Sequence, residues 1–193
     1  EILRILFISN LIQQKGYNEI VDAFFKLNEK CKHMVRIDFA GRFESESQKQ
    51  LFLEKINGTE EIRYHGVVDD VEKKSLFSRA HAFCLPTSFL EGQPISILEA
   101  YASGCVVITT RQGGIRDIFT DGLNGFEIRE KSPDSIKMVL EQIIEKPDNL
   151  IKIAISNRKL ADEKYRTSAY NSALSAIIGS SVAAIPLKGN CNC

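Results

Sequence analysis

Apolar residues along the chain form short unbroken runs, and longer stretches with helical spacing separate those runs. Ile2 to Ile8 is such a run and predicts a buried strand. Gly16 to Lys32 follows, with Ile20, Val21, Phe24, Phe25 and Leu27 close to the spacing of one helix face. Further strands are predicted at Val35 to Ala40, Ile62 to Val68, Ala82 to Leu85, Cys105 to Thr109 and Gly125 to Ile128. Helices are predicted between them at Gln48 to Ile56, Val71 to Ala80, Ile95 to Ser103 and Ile115 to Thr120. Ser132-Pro133-Asp134 opens another with a capping serine and a proline at its first position, and a last helix is expected from about Asn149 to Lys164. Phe24, Phe25, Phe52 and Phe77 sit at helical positions and are expected in the core.

Strands that alternate with helices and are apolar along their whole length belong to a parallel sheet covered on both faces. The expected fold is therefore α/β: a doubly wound, Rossmann-like parallel sheet flanked by helices. Ligands of such sheets sit beyond the carboxyl ends of the strands, so functional residues are expected in the loops that leave each strand. Residues 1–167 read as one domain. Beyond about Ser168 small residues dominate, and residues 168–193 read as a tail or linker, disordered in part.

With 44% hydrophobic and 26% charged residues the chain has enough apolar side chain for a full core. Lys plus Arg and Asp plus Glu are 25 each, so no basic field exists to hold a nucleic acid, and none is expected as a partner. No apolar stretch is long enough to span a bilayer, no leader pattern is present, and Glu1 in place of Met suggests a piece of a longer protein. Cys31, Cys84 and Cys105 lie among apolar residues and read as small core hydrophobes, whereas Cys191 and Cys193 read as part of a loose tail. Neither they nor His33, His65 and His81 are grouped as a metal site would require. The cysteine pattern suits a reducing, cytoplasmic setting.

The common nucleotide signatures are absent. The loop after the first strand, Ser9 to Gly16, has one glycine where a dinucleotide fingerprint has three, and no P-loop or serine elbow occurs. The informative segment is Leu85-Pro86-Thr87-Ser88-Phe89-Leu90-Glu91-Gly92-Gln93-Pro94-Ile95-Ser96-Ile97-Leu98-Glu99-Ala100. It leaves the fourth strand and enters a helix, with Gly92 allowing close backbone approach and Pro94 suited to the first helical position. Amides around Gln93 to Ser96 would then face an anion at the helix N-terminus. Glu91 stands just outside the helix and Glu99 about five residues in, roughly 7.5 Å along the axis. Carboxylates on either side of a bound phosphate could grip hydroxyls at both ends of a sugar nucleotide.

On these residues the chain resembles the C-terminal, donor-binding domain of retaining glycosyltransferases of family four, which have the two-domain GT-B fold. The hallmark of that family is a pair of glutamates separated by seven residues, matched by Glu91 and Glu99. Other matching pieces follow in order: Ser9-Asn10-Leu11 with Lys15-Gly16, Ala40-Gly41, His65-Gly66-Val67, Leu85-Pro86-Thr87-Ser88, Gly104 with Val106-Val107, Gly113-Gly114-Ile115 with Asp117, and Asp121-Gly122-Leu123-Asn124-Gly125. The likeness covers about residues 1–165. It implies that Glu99 holds the ribose hydroxyls and Glu91 a hydroxyl of the transferred sugar. It implies that the backbone from Gly92 through Gln93, Pro94 and Ile95 meets the sugar or the diphosphate. Lys15 would neutralise the diphosphate leaving group, and Gly66 and Val67 would lie at the base. A lysine in that role can replace a metal, so neither metal nor cofactor is expected.

The family has arginine where this chain has Asn10, which can donate a hydrogen bond but carries no charge. Arg42, after the second strand, is a candidate to compensate. Gly113-Gly114 could shape a tight turn or touch phosphate, and His65 reads as a strand-end histidine before a base or ligand. The implied function is transfer of a hexosyl unit, with retention, from a UDP- or GDP-sugar to a saccharide or glycolipid acceptor in polysaccharide or glycoconjugate synthesis. The N-terminal acceptor-binding domain of the same protein is an implied partner, without which this chain is expected to bind donor but barely catalyse. The whole protein would be cytoplasmic or peripheral at the inner membrane face. Two alternatives stay open: a non-catalytic nucleotide or sugar-phosphate binding module, and a scaffold with no nucleotide affinity.

Overall fold

The computed structural model describes residues 2–165. The predicted tail, with Cys191 and Cys193, lies outside the described residues. Six parallel strands form one sheet in the order β3-β2-β1-β4-β5-β6, where β1 is Leu3–Ile8, β2 Val35–Ala40, β3 Ile62–Tyr64, β4 Ala82–Leu85, β5 Val106–Thr109 and β6 Gly125–Glu127. This is a doubly wound order, in keeping with the doubly wound parallel sheet expected from the alternation of elements. The central strands are buried on both faces: Phe7, Phe39, Phe83 and Val107 have no exposed surface. Such burial requires the unbroken apolar runs, since each face packs on helices.

The helices are α1 (Tyr17–Phe25), α2 (Glu29–His33), α3 (Glu46–Ile56), α4 (Asp70–Arg79), α5 (Ile95–Ala102), α6 (Ile115–Ile118), α7 (Pro133–Glu145) and α8 (Asp148–Leu160). The single helix expected from Gly16 to Lys32 is two. Asn28 is extended and its side chain accepts a hydrogen bond from the Cys31 amide, so it caps α2 and ends the continuity. The third strand is shorter than expected because Gly66 adopts φ +75°, which turns the chain out of the sheet. Pro94 is the residue before α5 and not its first residue; its ψ of 106° is extended.

Phe24, Phe52 and Phe77 are in the core, but Phe25 is 41% exposed, packing edge-on against Phe24 at the end of α1. Cys84 and Cys105 are free and buried, and Cys31 packs partly buried against the core. Burial pushes the Cys105 thiol up to about 12 and Cys84 higher still, so neither forms thiolate at neutral pH. At the far side Asn157 of α8 donates to the carbonyls of Cys105 and Asn124 and accepts from the Asn124 amide, all buried, which pins the last helix to β5 and β6.

Candidate active site at the carboxyl ends of β1 and β4

The strand order reverses between β1 and β4, and the loops leaving these two strands separate there. They are stitched together by backbone. The Gln14 carbonyl accepts from the Ser88 amide at 2.7 Å and from the Thr87 hydroxyl at 3.2 Å. Gly16 closes the first loop with φ +79°, and a Cβ there would lie 2.4 Å from the Pro86 carbonyl oxygen, so this approach admits only glycine.

That stitching brings Lys15 and Glu91, 76 positions apart in sequence, into a direct ion pair. Their side chains are 14% and 7% exposed, and the Lys15 ammonium also stands 5.0 Å from the centre of the Phe89 ring. A charge so poorly hydrated needs a counter-charge, and each supplies the other's. Glu99 faces outward from the second turn of α5, and its Oε1 accepts from Lys73 Nζ of α4 at 2.6 Å. The hydrogen bond to Glu99 raises the Lys73 pKa above its ordinary value of 10.5.

The loop between Glu91 and Pro94 is braced from outside. The Gly114 amide donates to the Glu91 carbonyl at 2.8 Å, and Gly113 and Gly114 pass so close that a Cβ on either would collide with the Glu91 or Gly92 carbonyl. These two glycines therefore shape the loop. At Gly92 itself an added Cβ meets nothing within 4 Å, so no packing demand accounts for glycine there. Ile95 and Ser96 open α5, whose first amides have no partner within the helix and point toward the carboxyl side of the sheet.

Asn10 and Arg42 line one cavity of about 340 Å³ together with Ile12, Phe43 and Glu44. Arg42 also lines a neighbouring cavity of about 360 Å³ with Gly66, Val67, Tyr64 and Lys49. The Leu11 amide donates to the Arg42 carbonyl at 2.8 Å, which fixes the two loops side by side. His65 bonds through Nε2 to Asp38 Oδ1 at 2.6 Å, the strand-end role expected of it. The candidates thus fall into two neighbourhoods, Lys15–Glu91 with the α5 entrance and Asn10–Arg42 with Gly66 and Val67. The contact of Lys73 with Glu99 is not legible in the sequence, because a lysine in the second turn of a polar helix carries no signal. Among the described residues no three His, Cys, Asp or Glu side chains are grouped as metal ligands, and no helix is long and apolar enough to cross a membrane.

The sequence pattern of the glycosyl transferases group 1 family matches residues 3–161. The chain belongs to that family. EpsD of Bacillus subtilis, which carries the name of a glycosyltransferase, is 27% identical over 157 residues, 81% of this chain and 40% of the relative. The chain spans two-fifths or less of the length of the curated relatives it matches. Among solved structures, HepE of Anabaena in complex with UDP-glucose superimposes with a TM-score of 0.81 at 17% identity, over 93% of this chain and 49% of that one. The C-terminal domain of the group 1 family protein LpcC from Francisella tularensis superimposes with a TM-score of 0.75 at 24% identity, over 86% and 87%. The fold is thus that of one half of a GT-B glycosyltransferase.

Proposed function

We propose that the chain is the donor-binding half of a retaining glycosyltransferase that moves a hexosyl unit from a UDP- or GDP-sugar to a saccharide or glycolipid acceptor. The observation that carries this reading is the pairing of Lys15 with Glu91 at the switch point, beside the N-terminus of α5. As the bond between sugar and diphosphate breaks, negative charge grows on the departing phosphate. Lys15 and the first amides of α5 lie where such charge is stabilised, and the low exposure of Lys15 limits its screening. The diphosphate takes Lys15 from Glu91, and the freed carboxylate accepts a hydroxyl of the transferred sugar. In this reading the cation and the helix carry the leaving-group charge without a metal, and Arg42 supplies the second cation where Asn10 has none.

The complex of HepE with UDP-glucose supports a uridine donor. Retention, the hexose and the place in polysaccharide synthesis rest on the family resemblance. Val67, Val71, Phe89, Leu90 and Ile95 are exposed apolar side chains on the carboxyl side of the sheet, which suits a surface faced by an acceptor-binding domain. Alone, this chain is expected to bind donor and to transfer sugar barely, which an assay with UDP-glucose and a saccharide acceptor checks.

The two glutamates should separate by ligand. A charged hydrogen bond to a hydroxyl contributes about 1.5–3 kcal/mol. Glu99→Ala should therefore weaken bare UDP or GDP about 10- to 100-fold in calorimetric titration. Glu91→Ala frees Lys15 for the diphosphate, so the bare nucleotide should bind at least as tightly while only the sugar-bearing donor is weakened. Equal effects on the bare nucleotide would contradict the assignment of the two carboxylates.

A further inference from the structure

α4 and α5 both begin at the carboxyl side of the sheet, and Lys73 and Glu99 each lie in the second turn of their helix. The start of α4 is fixed by a capping box: the Asp69 carboxylate accepts from the Glu72 amide at 2.8 Å, and the Glu72 carboxylate accepts from the Asp69 amide at 3.3 Å. Lys73 follows directly on that box, so its backbone is held where its ammonium can reach across to α5. Only Oε1 of Glu99 is used; Oε2 has no hydrogen bond among the described residues.

Stability does not account for this pair. Both side chains are about 30% exposed, they sit on different helices, and pairs of that kind contribute little to folding. What the contact does is restrict a glutamate with three rotatable bonds to one orientation, with one oxygen engaged and the other left open. A carboxylate fixed before its ligand arrives does not have to lose that freedom on binding.

We infer that Lys73 is a positioning residue of the donor site: it holds Glu99 in the orientation from which the free oxygen receives a ribose hydroxyl, and so sets the preference of the site for ribonucleotides. This rests on the donor-site reading above, and on Glu99 as the ribose contact. The raised pKa of Lys73 keeps it cationic across the pH range in which nucleotides are titrated. Its support is present below the ordinary lysine value and is lost only as pH rises through the higher folded value. Asp70, one turn back on the same helix, adds to the negative field around the ammonium.

The test is calorimetric titration of the whole chain with UDP, GDP and their 2′-deoxy counterparts, for the unaltered protein, Lys73→Met, Lys73→Arg and Glu99→Ala. The unaltered protein should prefer the ribonucleotide about tenfold, one charged hydrogen bond's worth. Lys73→Met should lose most of that preference with its thermal midpoint little changed, Lys73→Arg should keep it, and Glu99→Ala should abolish it. A preference that survives Lys73→Met overturns the inference while leaving the donor site standing. So does an equal loss on ribo- and deoxynucleotide, which would mean that Lys73 touches phosphate or only supports the fold. If the unaltered protein binds neither nucleotide, or binds without preference for ribose, the donor-site reading itself fails and the inference falls with it.

Discussion

Lys15→Met should lower stability and abolish donor binding together. Removing the ammonium leaves the Glu91 carboxylate 7% exposed with no counter-charge. Breaking a buried pair from one side costs about 3 kcal/mol or more. For a domain of this size that lowers the thermal midpoint by about 10 °C. Binding should fall at least about 100-fold, because a charged contact to the diphosphate is lost and an uncompensated carboxylate then faces the phosphates. The double variant Lys15→Met/Glu91→Gln separates the two effects. Thermal unfolding should recover most of the lost stability, since no charge is stranded, while calorimetry should show UDP binding still lost. Recovery of both would mean that Lys15 serves only to neutralise Glu91.

Gly114→Ala should be comparably damaging for a steric reason. The new Cβ would stand 1.6 Å from the Gly92 carbonyl oxygen and 2.8 Å from its carbon, so one of the two backbones must move by more than 1 Å. Forced overpacking costs about 1–3 kcal/mol, occasionally more. The displaced strip is the one between Glu91 and Pro94, and a shift of about 1 Å in a positioning element costs on the order of 100-fold in transfer rate. The reconstituted or full-length enzyme should therefore lose far more activity than its thermal midpoint suggests. Gly92→Ala is the contrasting case. Its Cβ meets no protein atom within 4 Å, so thermal unfolding should be unchanged. Donor affinity should fall because the methyl enters the space assigned to the ligand. An unchanged affinity would show that the Gly92 backbone does not approach the donor.

How much of this could be read from the sequence depended on the range of the interactions involved. β4 was legible to the residue, because a strand buried on both faces must be apolar throughout and Pro86 follows its end. The break between α1 and α2 is not legible because Asn28 acts through a single side-chain bond to the Cys31 amide, and the apolar spacing runs without interruption to Leu27, the residue just before it. β3 ends two residues before Gly66, whose positive φ turns the chain, and the apolar run through Val67 and Val68 gives no sign of that turn. Phe25 matches the helical period and is still 41% exposed, since period alone does not say where a helix face ends against its neighbour.

The site divides in the same way. Glu91, Glu99 and Lys15 are legible as motif residues, and the alternation of strands and helices puts the segments that carry them at the carboxyl side of the sheet, where the structure has them. Their mutual arrangement was not legible. Neither the direct pairing of Lys15 with Glu91 nor the reach of Lys73 to Glu99 follows from spacing, because both depend on which strands become neighbours. The sharing of one cavity by Asn10 and Arg42 likewise needed β1 and β2 to be placed side by side.

In the proposed function this chain carries a nucleotide-sugar donor site gripped at its ribose by Glu99. Calorimetric titration with UDP, GDP and ADP, each with and without an attached hexose, tests it most directly. The expected result is saturable binding of one nucleotide, UDP first, weakened about 10- to 100-fold in Glu99→Ala. Binding of every nucleotide alike and unaffected by Glu99→Ala, or no saturable binding of any, would contradict it.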